Sequence, residues 1–428
     1  MIGRTREHVT SALAAYADLL LKLHQLIADG KGDAEESDAL RDHMDVYWKS
    51  LDVEELEIVR QLSADLNGIY DERNSLHPRA DYYSDKLALE MAKAHDSGNY
   101  LRALKLLTER PQEISFGRAA ILRGMSYREL GLVQAGLTFM WRAASNSENP
   151  ESAYVIALNT LWHYVGINAA ATQAMELLRE DKIRGTAYFV VASIFLTAAA
   201  NEDGLLRADF AEAAKSVLKG LLKSAPADDA ANAQARCHQM LSNCHFLLGE
   251  SPQAINELGA AIQLTPDDGE LYVQRGLMQL DSSFQIAKLD FEKAVELGAI
   301  SVWPYYYLAF DAFCSKDFDR CKHMASIAMS RTSDLDIQAR LHELVAMSIA
   351  SGSSSLNQSN IEVIRNHFRT GIVLSPSDQQ ILANSQVFEN ALQSAIRQHG
   401  WVLRPPIASQ RATSIAMNER LPELMPCA

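Results

Sequence analysis

Small residues recur every 33 or 34 positions in the middle of this 428-residue chain, and this recurrence restricts the possible folds more than any other feature. Three segments, 241–268, 275–299 and 308–330, align on it. The recurring positions are Ala254, Ala287 and Cys321; Ala261, Ala294 and Ala328; and Ser242, Gly276 and Ala309. A fixed period of this length is typical of an array of similar structural units.

Each unit is predicted to be helical. The chain contains only 12 prolines, is rich in good helix formers, and shows no sustained alternation of apolar and polar residues that would indicate a strand. Two helices approach closely only where the side chains between them are small, so Gly276 is expected to lie against Ala287 and Ala294. Leu258 and Phe291 are expected to fill the gaps to neighbouring pairs. The predicted fold class is all-α.

The clearest match to a known repeat is the tripeptide Arg-Gly-Leu at 275–277, followed by AKLDFEKAVEL at 287–297. Together with the period, these residues resemble the tetratricopeptide repeat (TPR) family, whose unit is two antiparallel helices with small residues at their contact. Cys321 and Ser242 stand where the family usually has Ala and Gly. The resemblance implies an α-solenoid of about eight helical hairpins.

The region before the array differs from it in charge. Residues 33–72 contain thirteen acidic and three basic side chains, which is a balance of −10 within the total of −14. This leader resembles a segment that precedes TPR arrays in some bacterial proteins of undefined role, which implies a bacterial origin. The predicted domains are an acidic helical leader at 1–79, a TPR-like solenoid at 80–377, a capping helix at 378–400 and an extended or disordered tail at 401–428.

Composition excludes several classes of function. With 54 acidic against 40 basic residues and a pI near 5.4, the chain is not expected to bind nucleic acid, because such binding depends on clustered cations. No run reaches the roughly 18 apolar residues of a membrane span, and the first residues do not form a signal peptide. The five cysteines are odd in number and contain no C-x-x-C pair, which favours a reducing compartment. A cytoplasmic location is therefore expected.

The chemistry-bearing side chains give no strong indication of catalysis. Motifs for phosphate-binding loops, dinucleotide folds, zinc proteases and nucleophile elbows are absent from the sequence. Cys237-His238 and Cys244-His245 repeat after seven residues, but positions two turns apart on one helix are about 10 Å apart and cannot share one ion. These residues, together with Cys314 and Cys321, are interpreted as structural, so no metal and no cofactor are predicted.

One helix face suggests where a partner would bind. In the segment SVWPYYYLAFDAFC, residues Tyr305, Leu308 and Ala309 match the face that packs inside a TPR hairpin. A second face remains, and in the TPR family it lines the concave groove that binds partner peptides. The predicted groove residues are Trp303, Tyr306, Phe310 and Phe313, with Arg236, Gln239, Asn243, Phe246, Val273 and Leu277 from the preceding repeats.

The favoured function is therefore a non-catalytic scaffold that binds a protein or peptide segment in the concave groove. An alternative is a structural or self-assembly protein in which the chain's own tail, or another copy, fills the groove. An enzyme with an unrecognised site is a third hypothesis. The sequence leaves open whether the chain forms a homo-oligomer, and whether the acidic leader attracts a basic partner or only solvates its helices.

Overall fold

A computed structural model describes residues 10–70, 77, 82–146, 150–185, 187–224, 231–353, 356–394, 400–403, 406–407 and 412–413. Within these residues the secondary structure is helical, apart from one isolated bridge between Tyr83 and Ile114. The all-α prediction is thus confirmed for this part of the chain. None of the helices described combines the length and the apolar run needed to cross a bilayer. The chain divides between Ile194 and Phe195 into two compact units.

The first unit contains the leader and the first helical pairs. Its helices are α1 (Ser11–Ala28), α2 (Glu35–Trp48), α3 (Val53–Tyr70), α4 (Asp85–Asp96), α5 (Tyr100–Glu109), α6 (Phe116–Glu129), α7 (Val133–Asn146), α8 (Glu151–Thr160) and α9 (Ile167–Arg179). The boundary predicted between residues 79 and 80 falls outside the described residues.

The leader packs into the same core as the helical pairs that follow it. Leu62 of α3 shares a buried cluster with Tyr127 of α6 and Phe139 of α7. Beside them, the buried carboxylate of Asp65 accepts hydrogen bonds from Arg123 Nε (2.8 Å) and Tyr127 Oη (2.7 Å). Burial, and then the charge of Asp65, raise the pKa of Tyr127, so its hydroxyl remains a donor. This ion pair and hydrogen bond fix α3 against α6.

A further helix, α10 (Ala187–Asn201), spans the junction between the units. The remaining helices belong to the second unit: α11 (Gly204–Ser224), α12 (Ala231–Leu247), α13 (Ser251–Leu264), α14 (Gly269–Gln279), α15 (Phe284–Glu296), α16 (Trp303–Cys314), α17 (Phe318–Ser330), α18 (Leu335–Gly352), α19 (Gln358–Leu374) and α20 (Gln379–Ser394).

Successive hairpins of the second unit stack on one another. The pairs α12–α13, α14–α15, α16–α17 and α18–α19 each form a hairpin, and the second helix of each of the first three pairs also contacts the first helix of the next. The first helices meet directly, since α14 contacts α16, α16 contacts α18, and α18 contacts α20. Contacts between nearest neighbours of this kind are typical of a solenoid. The first helices therefore form one continuous layer, and the functional site described below lies on it.

Close helix contacts occur at glycine. In the α6–α7 hairpin, a Cβ atom on Gly124 would lie 2.8 Å from the carbonyl oxygen of Gly136. On α14, a Cβ atom on Gly276 would lie 2.7 Å from the ring of Phe291. The three atoms nearest to this position all belong to the Phe291 ring, a contact of Gly276 that the prediction did not name. Phe291 also reaches the next hairpin, as expected, by stacking on Tyr307 of α16 (5.4 Å between ring centres).

Candidate functional site

Helix α16 supplies the centre of the site. It carries Pro304 in its first turn, where a backbone N–H has no helical partner to lose, and it is apolar on nearly every side. Trp303, Tyr306 and Tyr307 are all buried, with ring centres 5.3 to 6.1 Å apart. A helix that is apolar all round must be covered on both sides. One side packs inside the hairpin, and the other is the face predicted to line a groove.

The predicted groove residues are more enclosed than an open groove would require. Seven of them are buried: Trp303, Tyr306, Phe313, Gln239, Asn243, Val273 and Leu277. Phe310, Arg236 and Phe246 are partly buried. The sequence pattern around these residues indicates which helix face they occupy, but it does not indicate which residues cover that face. In this structure residues 400–403 and 406–407 contribute to that cover.

Two tyrosines of α16 hold the backbone of Ile407. Tyr307 Oη donates a hydrogen bond to the carbonyl oxygen of Ile407 (2.7 Å), and the Ile407 N–H donates to Tyr306 Oη (3.3 Å). Burial, and then the neighbouring Tyr306, raise the pKa of Tyr307, so this hydroxyl stays protonated. The Ile407 side chain is 5% exposed and belongs to the same apolar cluster as α16. Both its backbone groups and its side chain are therefore bound.

An asparagine of α20 holds the backbone of Val402 in a similar way. The Val402 N–H donates to Asn384 Oδ1 (2.9 Å), and Asn384 Nδ2 donates back to the Val402 carbonyl oxygen (3.0 Å). Gln380 Nε2 donates to the same carbonyl (2.6 Å). Gln380 is held near the helix start, where its N–H donates to the side chain of Asp378 (3.0 Å). The second pair of backbone groups is thus bound five residues before Ile407.

Side chains anchor the segment only at certain positions. Trp401 Nε1–H donates to Ser351 Oγ of α18 (2.9 Å), and its ring lies beside that of Phe368 of α19 (6.4 Å between centres). The side chains of Val402 and Leu403 are 48% and 50% exposed. Recognition at Val402 is therefore made through its backbone, which every residue except proline offers in full.

A residual gap remains beside the segment. It has a volume of about 20 Å³ and is partly open to solvent. Its lining residues are Tyr306, Phe310, Arg340, Glu343, Leu344, Met347, Val402 and Leu403. The partly exposed Phe310 lines this space.

The Cys/His pairs of α12 are bound to their surroundings in other ways. Cys237 and Cys244 are buried, and burial raises the pKa of the Cys237 thiol to about 11 and that of Cys244 further, which disfavours the thiolate that binds metals. The histidines turn to acidic residues: His238 Nδ1 lies 2.6 Å from Glu257, and His245 Nδ1 lies 2.5 Å from Glu250. In the described part of the chain, no group of three or more His, Cys, Asp or Glu side chains is arranged to hold a metal ion.

The other cysteines are in different environments. Cys314 is exposed, whereas Cys321 is buried and accepts a hydrogen bond from Ser348 Oγ (3.1 Å). Burial raises the pKa of the Cys321 thiol to about 11. Cys427 lies outside the described residues.

Sequence reasoning missed the residues that hold the segment, namely Asn384, Gln380, Tyr307, Trp401 and Ile407. Asn384 left the clearest signal in the sequence. On α20, Ile381, Asn384 and Phe388 follow the spacing of a single helix face, and all three are buried. A polar residue in the middle of an apolar face needs a buried partner. That partner is the backbone of Val402, together with Glu343.

Similarity to known proteins is found among solved structures of TPR-repeat proteins. No family model and no curated protein matches the chain. A MamA RS-1 double mutant is 17% identical over 42% of this chain and 93% of its own, with a TM-score of 0.34. The C-terminal part of a TPR protein of Cytophaga hutchinsonii is 12% identical over 69% of this chain and 98% of its own, with a TM-score of 0.36. A TPR protein of Thermus thermophilus is 18% identical over 54% of this chain and 98% of its own, with a TM-score of 0.30.

Proposed function

We propose that this chain is a non-catalytic protein-interaction scaffold whose second unit binds an extended polypeptide segment on α16, α18 and α20. The observation that carries the proposal is the binding of both backbone groups of Val402 and of Ile407 by groove side chains. Side chains that bind the backbone of an extended segment provide a general means of peptide recognition. Residues 400–403 and 406–407 therefore act as an internal ligand that a partner segment replaces.

The nature of the contacts supports exchange of the segment. Five hydrogen bonds to Val402 and Ile407 go to backbone atoms, so another extended segment would satisfy the same groups. The specific side-chain anchors are Trp401 and Ile407. A tethered segment competes at an effective concentration of about 1 mM, so a partner has to bind tightly or act when the internal segment is released.

The test releases the internal segment without altering the groove. A full-length variant with Trp401→Ala and Ile407→Asp removes the aromatic anchor and places a charge where Ile407 is buried. A labelled peptide of residues 400–413 is then titrated against this variant and against the unmodified chain, with fluorescence anisotropy as the measurement. Saturable binding is expected for the variant, and binding at least about tenfold weaker for the unmodified chain, in which the internal segment competes.

A matched control is the full-length Val402→Ser variant, because that side chain is half exposed and its backbone is unchanged. It should bind the labelled peptide as weakly as the unmodified chain does. If the released variant keeps its circular dichroism spectrum but shows no saturable binding, the proposal is wrong. If it dimerises instead and excludes the peptide, the groove serves self-assembly, the alternative that the sequence left open.

A further inference from the structure

The orientation of the Asn384 amide determines what the groove can accept. Its Nδ2 group donates to Glu343 Oε1 (2.8 Å) and to the Val402 carbonyl oxygen (3.0 Å), while its Oδ1 accepts from the Val402 N–H (2.9 Å). Both amide hydrogens and the amide oxygen are therefore in use. Asn384 is fully buried and Glu343 is 4% exposed, so this arrangement lies away from bulk water.

Glu343 favours the observed orientation of the Asn384 amide over the turned one. If the Asn384 amide were turned over, its oxygen would face the acceptor oxygens of Glu343 and of the Val402 carbonyl, and its NH₂ group would face the Val402 N–H. Acceptor would then oppose acceptor and donor would oppose donor, and each buried mismatch forfeits a hydrogen bond and leaves polar groups unsatisfied. Asn384 Oδ1 is therefore held towards the segment as a fixed acceptor.

We propose that Glu343 is a positioning residue that makes Asn384 demand a backbone N–H at the position of Val402, so that the groove rejects proline there. This inference rests on the proposed function and gives it a ligand class. The ligand is an extended segment with free N–H groups at two positions five residues apart. An aromatic residue precedes the first position, and a branched apolar residue occupies the second.

In the sequence, proline occurs between these two positions. The sequence from Val402 to Ile407 contains Pro405 and Pro406, which have no N–H group to offer. The two N–H groups that the groove binds belong to Val402 and Ile407, on either side of them. Proline restricts the backbone to extended conformations and so reduces the entropy lost when a segment is held at two separated points. Proline is therefore favourable as a spacer and unfavourable at the bound N–H.

The experiment compares three peptides on the released full-length variant with Trp401→Ala and Ile407→Asp. They are the peptide of residues 400–413, the same peptide with Val402→Pro, and the same peptide with Val402→Ala as the matched control. The proline peptide should bind at least about tenfold more weakly than the native peptide, because it leaves Asn384 Oδ1 buried without a donor. The alanine peptide should bind within about twofold, since the Val402 side chain is half exposed.

Two further changes in the same background test the role of Glu343. With Glu343→Gln, the new amide oxygen can accept from Asn384 Nδ2 as the carboxylate does, so the preference for alanine over proline should persist. With Glu343→Leu, only the carbonyl oxygen of the bound segment still opposes a turned Asn384 amide, so the ratio of the two affinities should fall below that of the Glu343→Gln variant. If Glu343 had a purely structural role, its loss would weaken the binding of both peptides equally and leave this ratio unchanged.

The outcomes separate this inference from the proposed function. If the native peptide binds and the proline peptide binds equally well, the inference is overturned and the proposed function stands. If the native peptide does not bind, the proposed function fails and the inference fails with it. If the ratio of the alanine-peptide to the proline-peptide affinity stays high with Glu343→Leu, Asn384 selects for the N–H independently of Glu343. That result would overturn the positioning role.

Discussion

Tyr306 and Tyr307 are neighbours in sequence, and one accepts from the N–H of Ile407 while the other donates to its carbonyl oxygen. Adjacent residues on a helix point about 100° apart, so two neighbours can approach one extended residue from different sides. The same residue of the segment is thereby held at both its donor and its acceptor. This arrangement allows the contribution of a single hydroxyl to be measured.

Changing Tyr307→Phe should loosen the segment without disturbing α16. The ring can remain stacked on Phe291, while the buried Ile407 carbonyl loses its donor, which costs about 1 to 3 kcal/mol. Amide hydrogen exchange at Ile407 should accelerate by about tenfold or more, because the segment opens more often. Tyr272→Phe is the control, since that hydroxyl donates to Pro266 on an exposed loop; equal acceleration in both variants would contradict the assignment.

A pair of histidines should make the second unit sensitive to acid. His342 of α18 and His367 of α19 place their Nδ1 atoms 2.8 Å apart. Burial lowers the pKa of both rings below the ordinary 6.5, and the charge of His367 lowers that of His342 further. The unfolded chain therefore takes up more protons than the folded one as the pH falls. The stability contribution is complete above about pH 6.5 and declines below it.

The measurement is the urea midpoint at pH 7.5 and at pH 5.5. The midpoint should fall at the lower pH, and the fall should be smaller in a variant with His342→Gln and His367→Gln, because glutamine does not titrate in this range. Other buried histidines contribute equally to both proteins and cancel in the comparison. An identical fall in the two proteins would show that this pair does not titrate on unfolding.

At the scale of the helical element, the close contact of α14 with α15 depends on a missing side chain. Gly276→Ala would place a Cβ atom 2.7 Å from the Phe291 ring, which also stacks on the next hairpin. The ring must move, and overpacking of this kind costs about 1 to 3 kcal/mol. The melting temperature should fall accordingly, as followed by circular dichroism.

Gly259→Ala on α13 is the matched control for this change. It is the same substitution inside a helix, but nothing lies within 4 Å of the new Cβ atom. Alanine should stabilise the helix there by about 0.5 to 1 kcal/mol. The two variants should therefore shift the melting temperature in opposite directions. A shift of the same sign in both would mean that helix propensity, not the contact with Phe291, dominates at Gly276.

On the scale of the whole molecule, the hairpins could be predicted because their signal is local. Residues such as Ala254, Ala287 and Cys321 lie in the same position of successive units, and each is buried where its helix meets a neighbour. Because the units are repeated, the packing role of a position in one unit predicts the role of the equivalent position in the others. The contact of Gly276 with Phe291 was not predicted, because small residues indicate that helices approach but not which side chain fills the space between them.

The same pattern left open whether the C-terminal helices or the tail cover α16, and it named no residue that would do so. Ile407 lies a hundred residues beyond Tyr307, in a region without a period, and it is held through backbone atoms that all residues share. Sequence patterns record side chains, so a contact made by backbone groups leaves little trace. The exceptions are Asn384, a polar residue on an apolar face, and the anchors Trp401 and Ile407, whose side chains are apolar in a tail that has no helical register.

Deleting residues 401–428 should expose the face of α16 and destabilise the second unit. The deletion removes the Trp401 and Ile407 side chains from their contacts and leaves Tyr306, Tyr307 and Asn384 without the backbone partners described above. The melting temperature should fall by about 5 °C or more, and binding of a hydrophobic dye should rise, since uncovered aromatic side chains form an apolar patch.

A full-length variant with Val402→Ser and Leu403→Ser is the control, because both side chains are already half exposed. It should melt like the unmodified chain. If the shortened chain also melts unchanged and binds no more dye, residues 400–403 and 406–407 do not cover α16 in solution, and the internal-ligand interpretation of the groove is wrong.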